Sequence, residues 1–275
     1  MMIRIGYELA YRFPQDTAII LMLNAHFSRA SDMVVPDHLK TDPEVQVRPY
    51  RDSFGNWCNR LLAPAGRITI SGHGVVHDDG LPDPVIHDAE QHPVNELPEE
   101  ALMFLLGSRY CEVDEMTTTA WNLFGSIKPG WTRVQAICDY VNRHITFGYH
   151  NARSTRTAAQ AFTEGVGVCR DFAHLAVTFC RCMNIPARYC TGYLPDIGVP
   201  VVLPMDFAAW FEAYIGGEWH MFDPRNNMPR IGRILMARGR DAADVAISTT
   251  FGPSVLEQFT VVCEEVEPTV AVASE

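Results

Sequence analysis

The chain has 275 residues, 47% of them hydrophobic and 20% charged, and a formal net charge of −11. That composition is ordinary for a globular protein with a large core, and the acidic balance argues against non-specific nucleic-acid binding and against attraction to an anionic membrane. Eight cysteines with no C-x-x-C pair make neither a disulfide scaffold nor a zinc site, so no metal is expected. No signal-like apolar run opens the chain and no stretch approaches ~18 apolar residues, which leads to the expectation of a reduced, cytoplasmic protein.

The first half reads as strands. Ile3–Phe13 alternates and is rich in Ile and Tyr, and Thr17–Phe27 is a more apolar run. Further strands are expected at Val45–Tyr50, Asn56–Leu62 and Arg67–Val76, with a hairpin step at Phe54–Trp57 and a turn at Pro64–Gly66. Short strands at regular spacing predict a β-sandwich over residues 1–88. Asp78–Pro98 is dense in Asp, Gly, Pro and His and reads as a linker.

Helical spacing begins after it. Glu99–Leu106, Met116–Gly125 and Thr132–Ile145 are expected helices, and in the last Val134, Ile137, Cys138, Val141 and Ile145 make one face. Ser154–Glu164 follows, with Ser154 or Thr157 as its cap. It delivers the chain to GVGVCRDFAHLAVTFCRCMNIPARYCTGYL, Gly165 to Leu194. Glycine-spaced turn chemistry precedes Cys169, and Phe172, Ala173, Ala176, Val177, Phe179 and Cys180 then recur at helical spacing. Asn184 and Pro186 stop that helix, and Ala187–Leu194 reads as a strand. A thiol at a helix start faces free N–H groups and the positive dipole end, which favours the nucleophilic thiolate. Cys138, Cys180, Cys182 and Cys190 read instead as small core hydrophobes.

A hairpin comes next: Asp206–Ile215, Gly216 and Gly217 as a two-residue turn, then Glu218–Asp223. That turn sets Ile215 opposite Glu218, Tyr214 opposite Trp219, Glu212 opposite Met221 and Trp210 opposite Asp223. Ala208, Trp210, Glu212, Met221 and Asp223 are then expected on one face. His220 falls on the other face.

The run from Gly167 to Pro195, with MDFAAWFEAYIGGEWHMFDPRNN at 205–227, resembles bacterial transglutaminase-like proteins. These form a papain-like superfamily of thiol acyltransferases and proteases, and many bacterial members carry an N-terminal β-domain. The resemblance implies an α+β fold: the N-terminal β-sandwich at 1–88, a papain-like core at 89–266 with the nucleophile helix packed on an antiparallel sheet, and an acidic tail at 267–275. It implies thiol-dependent acyl transfer or amide hydrolysis, which needs a thiolate, an imidazole and an orienting carboxylate. Residue by residue, Cys169 takes the nucleophile position and Asp223 the orienting position. The histidine of the family's His-Ala-Trp motif falls on Ala208. Trp210 reads most simply as a core or cleft-wall residue, and as a wall residue it would contact substrate. The partner implied is a peptide or protein, with no cofactor; no P-loop or dinucleotide motif occurs.

Without a base at 208, His220 points away, His174 lies roughly 140° round the helix from Cys169, and His150 sits in a loop that can fold over a cleft. Three readings stay open: an enzyme with a displaced base, a non-catalytic descendant that binds a peptide or protein in its cleft, and an engineered substitution at Ala208.

Overall fold

The computed structural model describes residues 1–266; the tail expected at 267–275 lies outside them. The first strands are β1 (Met2–Phe13), β2 (Thr17–Leu21), β3 (Met33–Val35), β4 (Lys40–Asp42), β5 (Arg48–Arg51), β6 (Trp57–Ala63) and β7 (Gly66–His77). Then come α1 (Glu99–Leu102), α2 (Val113–Phe124), α3 (Trp131–His144), β8 (Thr146–Phe147), α4 (Ala158–Glu164), β9 (Val166–Gly167) and α5 (Cys169–Cys182). The chain continues through β10 (Ala187–Tyr193), β11 (Ala208–Ile215), β12 (Glu218–Phe222), β13 (Ile234–Gly239), β14 (Ser248–Thr250) and β15 (Val255–Val266). No described helix is long and apolar enough to cross a membrane.

β1 alternates as a half-buried strand does: Ile3, Ile5, Tyr7, Leu9, Tyr11 and Phe13 are buried, while Arg4 and Arg12 point out to Glu264 and Glu257. One sheet runs β15-β1-β7-β3, with β4 also on β7, and a second runs β14-β2-β6-β5. Ile5, Leu9, Ile19, Leu61 and Ile70 share the core of the sandwich, and Tyr193, Phe207, Ile234 and Met236 extend that core into the second half. β14 pairs with β2 and β15 pairs with β1, so the chain returns to the sandwich at its end. β1 has one edge on β7, and its other row of N–H and C=O groups is satisfied by β15.

The segment Asp78–Pro98 is a strap rather than a free linker. Asp83 N–H donates to Arg230 O (2.8 Å), Ala89 O accepts from Trp131 N–H (2.9 Å), Glu90 O accepts from Gly216 N–H (2.7 Å), and Gln91 Nε2 donates to Met183 O (2.9 Å). It thereby crosses the core from the β13 side to the C-terminal end of α5.

The second half is built on the sheet β12-β11-β10-β13. The hairpin has the expected register, with Glu212 opposite Met221, Ala213 opposite His220, Tyr214 opposite Trp219 and Ile215 opposite Glu218. Gly216 and Gly217 have φ of 62° and 83°, the double positive φ that a tight two-residue hairpin requires. Phe211, Ala213 and Ile215 face α5 and pack with Phe172, Leu175, Ala176 and Phe179. Helices α2, α3 and α4 cover the other sides of α5. It is therefore buried all round from Asp171 to Cys182, although its spacing reads as amphipathic. Arg181 is buried with it and is satisfied by the carbonyls of Leu106, Ala187 and Arg240.

At Gly130, φ is 93° and an added Cβ would lie 2.3 Å from Ala89 O. Gly130→Ala is expected to cost about 3 kcal/mol through that clash and the left-handed backbone. The measurement is the urea midpoint, together with faster Glu-specific cleavage at Glu90 and Glu96 as the strap lifts.

Candidate active site

The approach to Cys169 is clamped from several sides. α4 is capped by the Thr157 side chain and ends at Gly165, whose φ is 64°. β9 then pairs with β8 and passes so close to α5 that a Cβ on Gly167 would lie 2.7 Å from the Asp171 Cβ. Asp171 is buried, and its Oδ2 accepts from Val168 N–H (2.9 Å) and from Arg156 (3.0 Å). Arg156 in turn pairs with Glu164. Arg170 donates to Ser154 O (2.7 Å) and Arg153 O (2.6 Å). Asp171 is thus a helix cap, as its position suggests, but a buried one.

Cys169 is half-buried and lines a cleft of about 530 Å³. Its Sγ lies 4.0 Å from Phe207 O, and the residue packs against Ala173, Tyr189 and Ala209. Burial pushes the thiol up to about 11; the Asp206 carboxylate adds to this, while Arg225 and a hydrogen bond from Ala209 oppose it. The expected advantage of a helix start is overridden because desolvation disfavours the thiolate.

Ala208 lines the same cleft, with no imidazole beside it. His174 is fully buried between Tyr110 (5.1 Å) and Tyr189 (4.9 Å), and its Nε2 accepts from Ala242 N–H (3.1 Å). Burial holds its pKa well below the usual value, so it is a neutral packing residue. His220 stands edge-on to Trp131 at 5.7 Å. His150 is exposed and is not part of the cleft wall, although its neighbour Tyr149 is.

Asp223 and Trp210 are both held by Arg233. Asp223 Oδ1 accepts from the backbone N–H of Arg225 (3.1 Å) and Asn226 (3.0 Å). Its Oδ2 accepts from Asn226 Nδ2 (2.7 Å) and Arg233 (3.1 Å). The carboxylate is therefore saturated with hydrogen bonds, and its charge still reaches the Cys169 thiol, which it helps to push up. Trp210 is 1% exposed, with Arg233 4.8 Å from its ring and Gly192 against its edge. It is not among the residues lining the cleft and takes the core place, one of the two the sequence offered it. Trp210 lies on the face of β11 away from α5, and that face is closed over by Arg233.

The residues that do line the cleft beside Cys169 include Phe147, Tyr149, Asp206, Arg225 and Met228. Of these, Asp206 was within reach of sequence reasoning through its place two residues before Ala208. Arg225 was legible only as the residue after Asp223 and Pro224, a turn that Asn142 holds through the carbonyls of Pro224 (3.0 Å) and Arg225 (2.9 Å).

Residues 117–224, from α2 through the hairpin, match the transglutaminase-like superfamily. A solved structure from Cytophaga hutchinsonii, described as a candidate cysteine protease, is 31% identical, covers 98% of this chain and 91% of its own, and aligns with a TM-score of 0.86. The chain belongs to the transglutaminase-like superfamily. An uncharacterized protein of Mycobacterium leprae is 27% identical over 240 residues, 80% of this chain and 81% of that one. Another, from Mycobacterium tuberculosis, is 32% identical over 133 residues, 44% and 42% of the two chains. The match to the transglutaminase-like superfamily spans the nucleophile helix and the hairpin, and the Cytophaga likeness extends it through the N-terminal sandwich.

In this transglutaminase-like site Cys169 is the accessible thiol, since Cys138, Cys180 and Cys182 are all buried. Iodoacetamide is expected to alkylate Cys169 first but slowly, with a rate that climbs with pH towards about 11 and shows no inflection between pH 6 and 8. Peptide mapping of the alkylated chain at a series of pH values checks both points.

Proposed function

We propose that this protein uses its transglutaminase-like cleft to bind a peptide or protein segment and does not carry out ordinary Cys–His–Asp acyl transfer. One observation carries the reading: Ala208 lines the cleft beside Cys169, and no histidine is among the residues that line it. Ion-pair activation of a thiol needs a proton acceptor within hydrogen-bond reach, and loss of such a partner costs about 10⁴-fold or more in rate. The orienting carboxylate is also committed elsewhere, to Arg233 and the 224–226 turn. What remains is a cleft with apolar walls and a few polar groups, the usual make-up of a ligand site. All eight cysteines are unpaired, which supports a reduced, cytoplasmic setting. A catalytic role for Cys169 is the second reading. It is favoured by the thiol's place at the start of α5 in the cleft, and it would need a base that arrives with the ligand.

Ala208→His separates the two. The imidazole would enter the cleft next to the thiol, and an alkylation limb is expected to appear below pH 8, because a neighbouring imidazolium stabilises the thiolate. The unaltered chain should show no such limb and no acyl-enzyme on Cys169 by mass spectrometry with a p-nitrophenyl ester. A covalent acyl adduct on unaltered Cys169 at pH 7 would overturn the binding reading in favour of catalysis.

A further inference from the structure

Charge in the cleft is unevenly paired. Arg230 is bound to Asp196 (2.9 Å), and Arg233 is bound to Asp83 (3.0 Å) and Asp223 (3.1 Å). Arg225, among the described residues, has no carboxylate in ion-pair range. Its guanidinium lies 4.2 Å from the Phe147 ring centroid and donates through Nη1 to Asn226 Oδ1 (3.1 Å). These contacts hold the planar fork in place and leave its other N–H groups uncommitted. Asp206 is the complementary case. Its Oδ1 accepts from the backbone N–H of Phe207 (2.7 Å), and no cation is in ion-pair range of it among the described residues. The two groups feel each other's charge without touching, and both lie near enough to influence the Cys169 thiol. Around them the wall is apolar, with Phe147, Leu194, Met205 and Met228.

A cation and a carboxyl group half-buried within one cleft, held in place but not paired with each other, are complementary to a ligand that carries an anion and an N–H donor close together. We propose that Arg225 and Asp206 form a recognition pair for a peptide-like ligand bearing a carboxylate, with the carboxylate on Arg225 and an amide N–H on Asp206, beside the Cys169 thiol. This rests on the reading of the cleft as a ligand site and names the chemistry it selects. Arginine suits the task because its fork meets a carboxylate through two parallel hydrogen bonds, and because stacking on Phe147 restricts it before the ligand arrives. The carboxylate can come from a chain terminus or from a Glu or Asp side chain.

The thiol itself supplies a probe that needs no known ligand. Iodoacetate and iodoacetamide deliver the same carbon to sulfur and differ in that iodoacetate carries a carboxylate. The ratio of their rates at Cys169 cancels any change in thiol ionisation, so it is independent of whether the protein is catalytic. Arg225→Gln is expected to lower the iodoacetate-to-iodoacetamide ratio by about tenfold, the scale of one charge-assisted hydrogen bond. Asp206→Asn, which removes a like charge, is expected to raise it. Three peptides then locate the source by protecting Cys169 from iodoacetamide: acetyl-Ala-Ala-Leu as the free acid, the same peptide as its amide, and acetyl-Ala-Glu-Leu amide. Protection by the free acid assigns a chain terminus, and protection by the glutamyl amide assigns a side chain. Either supports the proposal provided that Arg225→Gln abolishes it. A rate ratio unchanged in both variants, or protection no better from the two carboxylate peptides than from the neutral amide, overturns it.

Discussion

Arg233 is the group on which the two halves of the molecule converge. Its side chain is 2% exposed, it bridges Asp83 of the strap to Asp223 at the end of β12, and it lies against the Trp210 ring. A guanidinium withdrawn from water is tolerable only if carboxylates and hydrogen bonds replace its hydration, and removing one partner of a buried pair typically costs about 3–5 kcal/mol. The strap, the hairpin and the turn at 224–226 are therefore tied to one another. The Asp78–Pro98 segment is rich in Pro and Asp and reads as a flexible connection, yet it is drawn onto the core because Asp83 is the second carboxylate that Arg233 needs.

The same ion pair takes up one of the acceptor sites of Asp223, the residue at the family's orienting position. A carboxylate has room for about four hydrogen bonds, and Asp223 already accepts four, two from backbone N–H groups, one from Asn226 and one from Arg233. Two of those bonds come from the turn that carries Arg225 into the cleft.

For the thiol, two effects compete. The start of α5 offers a positive dipole end, worth about 0.3–1 kcal/mol near a surface, whereas burial of a thiolate costs several pKa units when nothing compensates. Burial wins, helped by the Asp206 carboxylate and, less, by that of Asp223. Cys169 lines the cleft with its thiol pushed up by burial, beside a cation and a carboxyl group that have no ion-pair partner among the described residues.

The local architecture was legible in the sequence because it depends on neighbours a few residues apart. Alternation in Ile3–Phe13, the helical spacing after Cys169 and the two glycines at 216–217 dictate strand, helix and hairpin register through side-chain period and backbone sterics alone. The family motif likewise marked Cys169, Ala208 and Asp223. What the sequence could not carry was which distant groups meet. β15 completes the sheet of β1 from the far end of the chain, Trp210 is sealed by Arg233, and Arg225 rather than a histidine stands in the cleft. Hydrogen-bond and charge pairing across such separations leave no periodic trace, because any acidic residue can answer any arginine until the backbone brings one pair together. Tertiary structure decided how strongly Cys169 is desolvated and which charges remain unpaired, and with them what this site can bind.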